Sequence, residues 1–224
     1  VGARVEHVVP EEGPGPVMVL EWLDGVPQTV GSIQADTARA LPLMAAAIRQ
    51  LHAGPAFVNR FDMFRIQEGY LRIVRERGFT IPDGYEEHLP TVRRLEEALA
   101  VQGSPLVPCN NDLLAANYID QGDRFRLIDY EYSGMNDPCF ELGNTASEQE
   151  LSPDDLARLC EAYFGEALRN RVARAALWAI MSTAMLAPRA NTPGAAKKKE
   201  APSHSSTSSL APCWSRRCKR SLGR

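Results

Sequence analysis

The 224-residue chain is 44% hydrophobic and 24% charged, an ordinary globular composition with enough length for one domain and its own core. No apolar run approaches the roughly 20 residues of a membrane span, and five cysteines at scattered spacings suit neither a disulfide framework nor a zinc site. The formal net charge of -3 is divided: from Lys197 onward eight Lys/Arg face one acid, while the remainder holds 17 Arg, 27 acids and no lysine, a balance that suits a cationic small molecule or Mg²⁺ better than nucleic acid.

The chain opens Val-Gly-Ala, with neither an initiator Met nor a signal-peptide pattern, and the expected location is cytoplasmic. Val5 to Val9 and Val17 to Leu23 read as two short strands. Between them lies the turn-rich Pro10-Glu11-Glu12-Gly13-Pro14-Gly15-Pro16. Apolar residues at Ala38, Leu41, Ala45, Ile48 and Leu51 predict one long helix over Ile33 to His52, with Pro42 as a break or a true start. Phe61 to Arg77 is a second amphipathic helix stopped by Gly78, and Pro82 to Val101 a third that begins after Asp83-Gly84. Leu106-Val107 is a short approach strand. Asn117 to Ile119 and Phe125 to Ile128 form a hairpin closed by Asp120-Gln121-Gly122-Asp123. After Asp129 the chain returns to helices, with Ser152-Pro153 as a cap and first helical position, and a last apolar helix over Arg171 to Leu186. From Pro188 the composition shifts to Ala, Pro, Ser, Thr and Lys without a period, which predicts a disordered basic tail. Cys109, Cys139 and Cys160 read as small buried side chains, and Cys213 and Cys218 as unstructured thiols.

The chemistry concentrates between Asn110 and Glu148. Asp112 and Asn117 stand five residues apart, and Asp129 ends an apolar strand twelve residues beyond Asn117. A lone Asp-x-x-x-x-Asn is a weak signal; the strand-terminal aspartate makes it strong. Phosphoryl transfer needs one aspartate to orient and accept a hydroxyl proton, and two oxygen ligands for Mg²⁺. Asp112 fits the first role, Asn117 and Asp129 the second. Kinase loops usually begin with a histidine that braces the loop without taking the substrate proton. Asn110 stands there, with donor and acceptor groups to replace it in part.

The run Pro108-Cys109-Asn110-Asn111-Asp112-Leu113-Leu114, followed by Leu127-Ile128-Asp129-Tyr130-Glu131-Tyr132 and Phe140-Glu141-Leu142-Gly143-Asn144, resembles the choline/ethanolamine kinase branch of the aminoglycoside-phosphotransferase-like kinases. That family usually has Asp where Glu141 stands. The resemblance implies an α+β, protein-kinase-like fold, mainly the helical C-terminal lobe with a hinge strand remnant and a catalytic β-hairpin. Its implied divisions are 1–25 as small-lobe and hinge remnant, 26–187 as the large lobe, and 188–224 as tail. It further implies ATP- and Mg²⁺-dependent phosphorylation of a small amino alcohol such as choline or ethanolamine. Tyr132 and Glu148 would line a pocket for the cationic head group, an aromatic face and a carboxylate that attract it. Backbone groups of Glu21 and Leu23 would meet adenine. Trp178 and His52 read as core and structural residues rather than cage or catalytic ones.

The resemblance also marks what such a kinase needs and this sequence does not offer. No phosphate-covering loop is found, and the strand lysine has no counterpart, because every lysine (Lys197, Lys198, Lys199, Lys219) belongs to the tail. An impaired fragment is therefore expected, with exposed apolar surface around Val17 to Leu23 that invites self-association. A related aminoglycoside or sugar kinase and an inactive pseudokinase or binding module stand as alternatives; nucleic-acid binding through the tail is the least favoured.

Overall fold

A computed structural model describes residues 1–9 and 17–189. The expected Pro10–Pro16 loop, the tail beyond Arg189 and the cysteines in it lie outside the described residues. Among the described residues, seven strands and seven α-helices fall in the order β1 (Val5–Val9), β2 (Val17–Leu20), β3 (Val26–Pro27), α1 (Val30–Ala35), α2 (Thr37–His52), α3 (Met63–Glu76), α4 (Leu89–Ala100), β4 (Val107–Cys109), β5 (Tyr118–Asp120), β6 (Phe125–Leu127), β7 (Gly134–Asn136), α5 (Pro138–Glu148), α6 (Pro153–Phe164) and α7 (Arg169–Arg189). Helices carry the mass, and three small antiparallel sheets, β1–β2, β3–β5–β6 and β4–β7, sit among them.

The helices begin where side chains can accept orphaned N–H groups. Asp62 accepts from Phe64 and Arg65 at the start of α3, Asp137 from Cys139 at α5, and Ser152 from Asp155 at α6. Gly78 and Gly165 close α3 and α6 with positive φ, a conformation that costs glycine nothing. The predicted single helix over Ile33 to His52 is two. Asp36, with φ -146° and ψ 67°, ends α1 and caps α2 through Arg39 N–H. Pro42 lies inside α2 without ending it, at the cost of the hydrogen bond its missing N–H would give the Ala38 carbonyl. The third helix starts later than expected, at Leu89, after a 3-10 turn at Glu86–His88.

The core is made where α2 packs on α6 and α5 packs on α7. Ile33, Leu41, Met44, Ile48, Leu113, Tyr118, Leu127, Phe140, Leu142, Leu156 and Leu159 are fully buried there. At Gly143 an added Cβ would come 2.3 Å from the Ala175 carbonyl oxygen, so α5 and α7 touch backbone to backbone. Trp178 packs edge-on against Phe140 and beside Phe64, and its indole N–H donates to Asp137 at 3.1 Å, a core position. Cys109, Cys139 and Cys160 are all buried free thiols. No described helix is long and apolar enough to cross a membrane.

The hairpin runs close to expectation, with Tyr118 opposite Leu127, Ile119 opposite Arg126 and Asp120 opposite Phe125. Two strands escaped the sequence reading, the two-residue β3, which pairs with β5, and β7. Gly134–Asn136 pairs with Val107–Cys109, Cys109 lying opposite Gly134, and this ladder delivers the chain into the loop that begins at Asn110.

Candidate active site

The loop from Cys109 to Leu114 is held by side-chain amides and one carboxylate. Glu141, on α5 and 0% exposed, accepts Asn110 N–H with one oxygen at 2.8 Å and Asn111 N–H with the other at 2.9 Å. Asn144, one turn further along α5, accepts Leu113 N–H at 3.0 Å, and Gln149 donates to the Leu113 carbonyl at 2.7 Å. Asn111 sits at φ 67°, a left-handed conformation that asparagine tolerates. Its amide donates to the Tyr132 carbonyl at 3.0 Å and accepts from Asn136 on β7 at 2.9 Å. Without these partners the loop would bury several unpaired backbone groups, each costing roughly 1–3 kcal/mol.

Within this frame the structure brings Asn110, Asp112, Asn117 and Asp129 together. Asn110 Oδ1 accepts Asp112 N–H at 3.0 Å, and Asn110 Nδ2 donates to the Asp129 carbonyl at 2.9 Å and the Ile128 carbonyl at 3.3 Å. Asn117 Nδ2 donates to the Asp112 carbonyl at 2.7 Å, and the Asn117 carbonyl accepts Ile128 N–H at 3.1 Å. With its nitrogen fixed in this way, the Asn117 amide turns its oxygen away from the Asp112 backbone. Asp129 is exposed and stands at φ 60°, just past the end of β6. Asp112 and Asn117 are buried, so one carboxylate faces outward while the other carboxylate and the amide sit at the root of the loop.

The other sequence candidates lie further along the same segment. Tyr132 is half-buried in the turn between Asp129 and β7, and its ring packs against the core. Glu148 is the last residue of α5 and half-buried. Glu21 lies just beyond β2 rather than inside it. Its N–H is engaged by the Arg4 carbonyl at 2.8 Å, and its carboxylate accepts from Arg4 N–H at 3.0 Å and from Arg126 at 3.3 Å. That backbone hydrogen bond, helped by Arg126, holds the Glu21 carboxyl below its ordinary range. Leu23 follows in the same irregular stretch.

Beneath the loop lies a knot that no sequence spacing announces. His52 at the end of α2, Cys109 and Glu141 place their donor atoms within 4.8 Å of one another, all buried. His52 Nδ1 meets the Tyr163 hydroxyl at 2.7 Å, and Cys109 Sγ lies 3.5 Å from Nε2. Burial pushes the His52 imidazole down to about 3, so it is neutral, and its 4.0 Å approach to Glu141 is not an ion pair. These three donors already serve one another and the loop backbone, which makes the group a brace rather than a metal centre. Burial also raises Glu141 to about 7 against the two N–H groups that favour its anion. Asn144 and Gln149 were not singled out from sequence as loop-holding residues, and only their place one helix away from the loop reveals the role.

A model of the phosphotransferase enzyme family matches residues 4–177. Protein LicA of Haemophilus influenzae is 30% identical over 164 residues, which are 72% of this chain and 60% of that protein. The solved choline/ethanolamine kinase family protein from Mesorhizobium loti superposes with a TM-score of 0.77 at 26% identity, covering 98% of this chain and 74% of that one. A solved structure of LicA in complex with AMP shares the fold at a TM-score of 0.66 and 20% identity, covering 100% of this chain and 72% of that one. The chain thus spans about three-fifths of the length of the curated relative it matches. With a kinase-type loop held in a protein-kinase-like fold and a family match across most of its length, this chain belongs to the phosphotransferase enzyme family.

Proposed function

We propose that the site transfers a phosphoryl group from Mg²⁺-ATP to the hydroxyl of a small amino alcohol such as choline or ethanolamine. The observation that carries this reading is the shared frame of Asp112, Asn117 and Asp129, joined through backbone and amide hydrogen bonds. Asp112 would orient the alcohol and accept its proton as the oxygen attacks. The Asn117 amide oxygen and the Asp129 carboxylate are the hard oxygen donors that would hold Mg²⁺, and the ion would neutralise charge on the transferring phosphates. An exposed Asp129 fits a nucleotide-facing ligand, and a buried Asp112 fits a base shielded from water.

Choline and ethanolamine enter through the names of the relatives and through the chemistry of Tyr132 and Glu148, an aromatic ring and a carboxylate on the segment that leaves the site. The Glu21 carbonyl and Leu23 are assigned to adenine; the AMP complex of the LicA structure supports nucleotide use in this fold. No described residue is lysine, so the charge that kinases place on the α- and β-phosphates has no such source here, and nucleotide affinity should be low. A cytoplasmic location fits a small-molecule kinase that uses ATP.

The test is phosphate transfer by the purified chain with Mg²⁺-ATP and choline, ethanolamine or an aminoglycoside. Asp112→Asn should lower kcat by roughly 10²–10⁴-fold, the usual worth of a positioned base. Asp129→Ala should abolish Mg²⁺-dependent turnover. Turnover at the unsubstituted rate in either variant would refute the assignment, and preference for an aminoglycoside would move the substrate to the related branch.

A further inference from the structure

Asn110 is 0% exposed and carries four polar engagements at one position. Its backbone N–H is taken by Glu141, its Oδ1 by Asp112 N–H, and its Nδ2 is shared between the carbonyls of Ile128 and Asp129. We propose that Asn110 is a positioning residue that ties the proposed base Asp112 to the metal-facing Asp129 through one neutral amide. This deepens the phosphotransferase reading and rests on it for the roles of the two aspartates.

The geometry suits an amide in particular. One planar group offers an acceptor on one side and two N–H donors on the other, so it reaches the turn into Asp112 and the end of β6 at once. Neutral imidazole has one N–H, and so could serve only one of the two carbonyls. The tie also acts where the backbone is unfavourable. Asp129 has φ 60°, a conformation that costs a non-glycine residue on the order of 1–2 kcal/mol, and Asn110 holds the carbonyl of that very residue. Glu141 fixes the backbone from which the amide projects, so the order of support runs from α5 to Asn110 and from Asn110 to both aspartates. Truncation would leave one buried N–H and two carbonyls without this partner, yet Leu113 would keep its own support from Asn144.

The experiment compares the full chain with Asn110→Ala, Asn110→Asp and Asn110→His by amide hydrogen exchange at single residues and by the Mg²⁺ concentration that half-saturates ATP binding. Asn110→Ala should speed exchange of the Asp112 amide about tenfold, the scale of one lost hydrogen bond, and raise the Mg²⁺ requirement by a similar factor, with the Leu113 amide unchanged. Asn110→Asp keeps an acceptor for Asp112 but turns a carboxylate toward two carbonyl oxygens. It should therefore preserve Asp112 protection while weakening Mg²⁺, a split that a merely structural residue would not produce. Asn110→His should restore Asp112 protection and only part of the Mg²⁺ response. Wild-type exchange at Asp112 in the alanine variant, or parallel loss of both readouts in the aspartate variant, would overturn the proposal. If the wild-type chain takes up no Mg²⁺-ATP, the functional reading fails, and exchange at Asp112 and Leu113 still decides whether the tie exists.

Discussion

Glu141 meets two opposite demands. Two backbone N–H groups favour its anion, and complete burial favours its acid, which wins and lifts it to about 7. His52, a contact away, is pushed by burial in the other sense, down to about 3. The signs follow from proton counts in the folded and unfolded chains. Glu141 is protonated longer in the fold, so its contribution is complete below about 4.5 and is lost as pH rises through 7. His52 is neutral longer in the fold, so its contribution is complete above about 6.5 and is lost as pH falls through 3. Between pH 4.5 and 6.5 the two slopes oppose each other. Glu141→Gln removes one of them. Its stability relative to the unsubstituted chain should climb by about 1.4 kcal/mol per pH unit across that window, read from urea unfolding. A difference that stays flat with pH would mean Glu141 titrates normally. This network was half legible in the sequence. Asp112, Asn117 and Asp129 announce themselves by spacing, whereas the partnership of Glu141 with a loop 30 residues earlier depends on where α5 docks, and no local pattern encodes that.

Helices were readable because their signals are local. Ser152 before Pro153 and Gly78 after Arg77 act within one turn, and each boundary falls within a few residues of the expected place. Removal of the Ser152 hydroxyl by Ser152→Ala should cost about 1 kcal/mol in chemical unfolding, the usual worth of such a cap; no loss would mean that Asp155 N–H finds another acceptor. Strand β7 was invisible because Gly134-Met135-Asn136 has no alternation and borrows its conformation from β4. The division at Asp36 was hidden for a related reason, since the apolar period continues across it while one carboxylate switches the chain from α1 to α2. The close crossing of α5 on α7 is the most demanding contact between elements. Gly143→Ala puts a methyl group 2.3 Å from the Ala175 oxygen, so the helices must separate. A loss of about 1–3 kcal/mol is expected, in the range of overpacked cores, and an unchanged melting temperature would show that the crossing is loose.

At the scale of the whole molecule, the two-stranded β1–β2 sheet is the exception to good packing. Val5, Val8, Val9, Val17, Met18, Val19 and Leu20 are all exposed, on both of its faces. Two strands alone are marginal in water, and paired apolar faces invite association. Light scattering of the purified chain should show mass rising with concentration, and lysine at both Val8 and Val19, one on each face, should return it to a monomer. A monomer at all concentrations before substitution would contradict this. The sequence foretold this exposure because Val17 to Leu23 reads as a strand with no polar face. It could not foretell that the ladder proper stops at Leu20, where Glu21 turns its carboxylate to Arg4 and Arg126. The resemblance supplied the protein-kinase-like fold as a whole, and the superposition on a choline/ethanolamine kinase family protein agrees with it.

Thermal melting of the purified chain with Mg²⁺-ATP, with choline and with both tests the central claim most directly, beside the same titration of Asp129→Ala. The account predicts a rise in melting temperature with Mg²⁺-ATP that grows when choline is added, as ligand-linked stability requires, and that is absent in the variant. Equal shifts in both proteins, or none in either, would contradict a metal-nucleotide site built on Asp112, Asn117 and Asp129.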